Sequence, residues 1–194
     1  VDFLTRALHE EDSRVRANAI EAIEKLDLPD VARLLLPMLK DEDNRVRANV
    51  IKALWNKDDQ SKLLEMLKEM TSDENPWMKA SAIFVLDKVK IPGRSELLAI
   101  MAQDEHPQIR QNARDAIFRI DSPDCLPLWL ELISNQKEFS LVAGKVVRMG
   151  DAALNMLLVF EGRTDESRRH ASLLLDMLEQ QVFKTSGWVS WIKA

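Results

Sequence analysis

The sequence predicts an all-α chain of about six stacked helix pairs, and three observations carry that prediction. Four stretches copy one another: from Glu10, Asp41, Asp73 and Asp104 the chain runs EEDSRVRANAIEAIEKL, DEDNRVRANVIKALWNK, DENPWMKASAIFVLDKV and DEHPQIRQNARDAIFRI, at spacings of 31, 32 and 31 residues. A fixed period of that size marks stacked supersecondary units rather than one globular core. Within each copy the apolar residues recur at helical spacing. The composition agrees, because 194 residues hold 5 glycines, no tyrosine and no β-branched runs.

The second helix of each pair, helix B, is the clearest element. Val15, Ala19, Ala22, Ile23 and Leu26 form one stripe of an amphipathic helix. The matching sets are Val46, Val50, Ala53 and Leu54; Met78, Ala82, Val85, Leu86 and Val89; and Ile109, Ala113, Ala116, Ile117 and Ile120. Small Ala and Val at the centre let neighbouring helices approach. Asp12, Asp43, Asn75 and His106 precede Ser13, Asn44, Pro76 and Pro107, which places the latter at the first helical position and the former at the N-cap, His106 being the odd one. The first helices, A, span Asp2–His9, Pro29–Lys40, Asp58–Thr71 and Gly93–Gln103, each joined to its B helix by a tight acidic turn.

Beyond Asp121 the pattern degenerates. The segment SPDCLPLWLELI is a fifth A helix beside LPDVARLLLPML, and Phe139, Val142, Ala143, Val146 and Val147 make its B stripe. A sixth A helix opens at Gly150–Ala153, and Ala171, Leu174, Leu175 and Leu178 serve the last B helix. The expected organisation is one repeat array over residues 1–181, regular to 121 and degenerate over 122–181. Residues 182–194, with Trp188, Trp191 and Ile192, form a cap or the start of a further repeat.

An acid that opens the turn, followed six positions later by Arg after an apolar residue, as in Asp41 to Val46-Arg47 and Asp104 to Ile109-Arg110, resembles HEAT repeats of the short bacterial kind shared with phycobilin lyase subunits. Glu10 with Arg16 and Asp73 with Lys79 are conservative versions, so the resemblance covers residues 1–121. It implies a right-handed α-solenoid with A helices on the convex side and B helices lining the concave one.

Net charge is −5 with a pI near 5.3, which argues against a general nucleic-acid binder. The lone Cys125 forms no internal disulfide and suits a reducing compartment. No stretch approaches the roughly 20 apolar residues of a membrane span, and no signal peptide opens the chain. The start at Val1, inside a helical pattern, suggests one domain of a longer cytoplasmic protein. His9, His106 and His170 fall in different repeats, so no pair shares a face at metal-ligand spacing. No phosphate loop and no Ser, His and Asp grouping is present, so neither catalytic residues nor a cofactor are expected. Cys125 belongs to an apolar helix and is read as core. Arg163, Arg168, Arg169 and His170 are the noticeable basic concentration, read as a solvated helix face.

On a common wheel the core stripe lies opposite a slot held by Glu24, Trp55, Asp87 and Phe118. Beside it lie Glu21, Lys52, Phe84 and Asp115, then Arg14, Arg45, Trp77 and Gln108. Trp55, Trp77, Phe84 and Phe118 thus fall where the pattern predicts solvent, and contiguous exposed apolar surface marks binding sites. The competing reading is that charged neighbours or the superhelix cover them. Asn18, Asn49, Ser81 and Asn112 lie at the edge of the core stripe and are read as structural rather than as a peptide clamp. The turn acids and bases are read as a ladder linking one repeat to the next.

The expected function is a non-enzymatic scaffold that binds a protein or peptide segment on the B-helix face. Trp55, Trp77, Phe84 and Phe118 would anchor the segment, and Arg45, Lys52, Lys88 and Arg119 would select its charge. No membrane insertion is expected, and the sequence sets no oligomeric state. Two alternatives follow from the resemblance: a phycobilin lyase-like chromophore-handling module, and a HEAT-like alkylpurine DNA glycosylase with Asp87 or Asp115 as its acid.

Overall fold

The computed structural model describes residues 2–26 and 30–185, and all regular structure among them is helical. The chain divides into two compact units, Val1–Ala116 and Ile117–Ala194.

The first unit holds α1 (Asp2–Ala7), α2 (Ser13–Leu26), α3 (Val31–Leu35), α4 (Asn44–Leu54), α5 (Gln60–Thr71), α6 (Pro76–Lys88), α7 (Arg94–Met101) and most of α8 (Pro107–Arg119). Three A helices pack on the B helices that follow them, α1 on α2, α3 on α4 and α5 on α6. The B helices also lie side by side, α2 on α4 and α4 on α6. Their predicted stripe is the core: Val46, Val50 and Leu54 are buried in α4, as are Ala82, Val85 and Leu86 in α6. In α2 the buried face is turned toward Arg16, Ala17 and Ile20, and Val15 and Leu26 are exposed. Helix α1 has 6 residues against 12 in α5, so it covers less of its partner.

The second A helix departs from the continuous Pro29–Lys40 expected from sequence. Among its described residues it ends at Leu35 and passes into a 3-10 turn, Leu36–Lys40. Pro37 explains the change, since it has no N–H to give to the carbonyl one turn back and its ring crowds that carbonyl.

The acidic turns do two jobs. Asp43 accepts from the N–H groups of Arg45 and Val46, and Asn75 from that of Trp77, as N-caps. Asp12 accepts from the N–H of Arg14 at 2.9 Å. One step earlier, Asp41, Asp73 and Asp104 each accept the N–H of the residue two positions on, at 2.9, 2.8 and 2.8 Å. This bond holds the turn even where His106 stands at the cap position.

Two of these acids, Asp41 and Asp104, also receive the basic residue of the preceding repeat. Arg16 donates through Nε and Nη2 to both carboxylate oxygens of Asp41 at 2.8 Å, and through Nη1 to the carbonyls of Glu10 and Glu11. Lys79 reaches Asp104 at 2.6 Å. Burial is the strongest single influence on the Asp41 carboxyl and pushes it up, but the hydrogen bonds from Arg16 and the Asp43 N–H, together with the nearby guanidinium charges, outweigh it and hold the group below its ordinary value. Asp104 is lowered in the same way by Lys79 and the His106 N–H together. Arg110 turns its Nη1 to the carbonyls of Asp104 and Glu105 in its own turn. The ladder is uneven, since the Nε of Arg47 is buried without a hydrogen-bond partner.

The second unit holds the end of α8, a 3-10 turn at Pro123–Cys125, α9 (Leu126–Leu132), α10 (Gln136–Met149), α11 (Asp151–Leu158) and α12 (Asp165–Thr185). Gly150, at φ 54°, starts α11 from a backbone region that favours glycine. Val142, Val146, Leu174 and Leu178 are buried as the degenerate stripes predict, and so is Cys125. Trp129 is fully buried and donates its indole N–H to the carbonyl of Ile117 at 2.9 Å. Lys145 donates to the carbonyl of Ile120 and to Asp121, with its Nζ 4.8 Å from the Trp129 ring centroid. Arg168 is exposed but bonds back to the Gly162 carbonyl and Asp165 of its own turn. The backbone of α12 reaches Thr185. The expected cap residues Trp188, Trp191 and Ile192 lie outside the described residues, as does Pro29.

Candidate partner-binding groove

Three adjacent B helices of the first unit build one surface. Helix α2 presents Arg14, Glu21 and Glu24, α4 presents Arg45 and Lys52, and α6 presents Trp77 and Phe84. These residues line two hollows of about 780 and 420 Å³ that share Glu21 and Phe84. The larger hollow adds Trp55, Asn56, Lys88, Val89 and Lys90. The smaller adds Asn18, Asn44, Asn49 and Ser81 with the small Ala17, Ala48 and Ala80. The slots that the wheel aligned on α2, α4 and α6 thus line common hollows.

Helix α6 makes this face apolar. Its inner side is buried through Met78, Ala82, Val85 and Leu86, yet on the opposite side Trp77 is 72% and Phe84 37% exposed. The two rings stand two helical turns apart, roughly 10 Å along the axis. A helix apolar on both faces is ordinarily buried on both. The corresponding places on α2 and α4 hold charged side chains instead.

Two of the four predicted anchors are not open surface. Trp55 is 3% exposed, because it caps α4 between two neighbouring B helices whose Glu24, Phe84 and Val89 line the same hollow. A wheel drawn for one helix leaves out such neighbours, so Trp55 forms the floor rather than an exposed anchor. Phe118 is 6% exposed, in the last turn of α8 beside the Ile117 carbonyl that Trp129 holds. Phe118 and Arg119 belong to the second unit, and neither lines the groove.

The predicted cations are differently engaged. Lys52 bridges to Glu24 at 2.7 Å, and its Nζ lies 5.9 Å from the centroid of the Phe84 ring. Lys88 pairs with Asp87 at 3.3 Å, and Arg14 with Asp12 at 2.8 Å. The hydrogen bonds from Arg14 lower the Asp12 carboxyl to about 2. Arg45 and Lys90 are exposed at opposite ends of the groove with no ion-pair partner among the described residues. Sequence reading missed Lys90 and Asn56 because they follow the helical windows. The signal available was Lys90 trailing directly behind the α6 stripe.

Asparagines fix the frame. Asn49 is buried and donates to the Ala17 carbonyl at 3.3 Å and to Glu21 at 3.1 Å, tying α4 to α2. Asn44 donates to the Trp77 carbonyl and to Ser81 Oγ, tying α4 to α6. Asn49 and Ser81 thus serve the structure, each bonded to a neighbouring helix. Asn18 is exposed on the groove wall.

Among the described residues no cluster of three or more His, Cys, Asp or Glu could hold a metal ion. No described helix is long and apolar enough to cross a membrane. The model of HEAT repeats matches residues 1–55 and 32–117, which together cover more than half of the sequence. The chain belongs to the HEAT-repeat family. HEAT repeats serve in general as protein-interaction scaffolds. Comparison with curated proteins gives no match. Among solved structures, two engineered proteins from a structural genomics consortium are similar to this HEAT-repeat chain at 14% and 16% identity. Each has a TM-score of 0.47, the alignments covering 91% of this chain and 95% and 97% of theirs.

Proposed function

We propose that this HEAT-repeat chain is a non-enzymatic interaction module that captures a segment of another protein on the α2–α4–α6 face. Trp77 and Phe84 are the apolar anchors, Trp55 is the floor, and Arg45, Lys52 and Lys88 are the flanking cations. The observation that carries this reading is the pair of aromatic rings on the outer side of α6, over a hollow held open by side chains bonded between helices. Covering the open part of Trp77, whose side chain offers roughly 200 Å², would contribute about 3 to 4 kcal/mol before ordering costs. Micromolar capture needs about 8 kcal/mol, within reach of two anchors and a few flanking contacts.

The test is panning of a random peptide display library on the immobilised chain and on a Trp77→Ala/Phe84→Ala variant. Ile100, 70% exposed on α7, supplies the control. Enrichment that survives in the Ile100→Ala variant and disappears in the double variant supports the reading. Enrichment unchanged in a folded double variant overturns it.

A further inference from the structure

We infer that the segment taken by this groove is an extended acidic one, with an apolar side chain seated between Trp77 and Phe84 and carboxylates on both sides of it. The inference rests on the groove reading above and adds the chemistry of the occupant. The whole chain carries a net charge of −5, yet the two hollows are lined by Arg14, Arg45, Lys52, Lys88 and Lys90 against only Glu21 and Glu24. The internal pairs then sharpen the pattern. Lys52 is neutralised by Glu24, and Glu21 accepts from Asn49. Glu21 is half-buried and keeps its single negative charge. Among the described residues of the groove, the exposed charges left without an ion-pair partner are two cations, Arg45 at the α4 end of the smaller hollow and Lys90 at the far end of the larger.

Geometry sets the length. From Trp77 to Lys90 is roughly 20 Å along α6, which an extended chain covers in about six residues. A carboxylate at each end of such a segment meets a cation while its middle lies over the aromatic pair. A like-charged basic segment would meet Arg45 and Lys90 unscreened, and juxtaposed like charges suppress wrong partners. Nucleic acid fits less well, because a phosphate chain carries a charge on every residue and needs an unbroken run of cations, whereas here the unpaired cations Arg45 and Lys90 stand apart in different hollows.

The experiment uses the full chain, a random peptide display library and a single-stranded oligonucleotide as probes. The expected result is enrichment of peptides with acids flanking an apolar residue, dependent on Trp77 and Phe84. An Arg45→Glu/Lys90→Glu variant of unchanged thermal stability should bind the leading acidic peptide at least about tenfold more weakly by fluorescence anisotropy. It should also lose the salt dependence that the parent shows. Neutral or basic peptides that still require Trp77 and Phe84 overturn the acidic inference and leave the groove reading standing. Peptide binding indifferent to both aromatics overturns the groove reading and the inference with it. Oligonucleotide binding that requires Trp77 and Phe84, or self-association abolished by their removal, assigns the face to a different occupant and overturns both.

Discussion

Replacing Asp41 by alanine should loosen the first two repeats more than any exposed charge change. The carboxylate takes two bonds of 2.8 Å from Arg16 and one of 2.9 Å from the N–H of Asp43, and both side chains of the pair are buried. Removing it leaves the guanidinium in place with only the Glu10 and Glu11 carbonyls. Breaking a buried pair from one side costs about 3 to 5 kcal/mol. Because two carbonyls still solvate the cation, the lower end applies, about 3 kcal/mol. For a chain of this size that lowers the melting temperature by roughly 6 to 12 °C. Asp41→Asn keeps the Oδ1 acceptor, which takes the Arg16 Nη2 and Asp43 N–H bonds, and loses the one from Arg16 Nε, so it should cost about 1 to 2 kcal/mol. Circular dichroism at 222 nm during heating, with urea titration beside it, measures both. Arg14→Ala, which breaks an exposed pair, should leave the melt unchanged. If Asp41→Ala proves as mild as Asp41→Asn, or both match Arg14→Ala, the ladder does not join the repeats and the reasoning fails.

Acid should weaken the same link. Asp41 and Asp104 are lowered in the folded chain, so their contribution is complete above the ordinary carboxylate value near pH 4 and fades as pH falls below about 4; urea midpoints against pH should show a shallower acid loss for Asp41→Asn. Asp43→Ala removes the acceptor for two N–H groups at the start of α4 and should lower stability by about 1 kcal/mol, read from the urea midpoint. Trp129→Phe removes one of two donors to the Ile117 carbonyl, which keeps the N–H of Ile120, and leaves part of the indole's fully buried space empty, so it should cost about 1 to 3 kcal/mol in the same titration. Trp77→Ala, by contrast, should move the midpoint by less than about 0.5 kcal/mol because the ring is mostly exposed.

The helical array was legible in the sequence because its period forces the same contacts on every copy. Val50, Ala82 and Ala113 are buried at equivalent places, and periodic burial is what a hydrophobic stripe encodes. The break at Pro37 was legible in principle, though helix length alone concealed it. Of the four aromatics expected at the surface, Trp77 and Phe84 are exposed. They stand on a face whose exposure depends on their own helix. Trp55 does not, since its surroundings come from helices about 30 residues away on either side, and no single wheel contains them. Asn44 was taken only as a helix-start residue, and its tie to Trp77 and Ser81 depends on a register between helices that composition does not carry.

The central claim is that one face, built by α2, α4 and α6, takes the partner segment. Amide and indole chemical shifts of the isotope-labelled full chain, titrated with the leading enriched peptide, test it most directly. The account predicts saturable shifts at Trp77 and Phe84 and at their neighbours Arg14, Glu21, Arg45 and Lys52, with α5 and α7 unmoved. Shifts gathered on α5 and α7, or within residues 117–185, would contradict it.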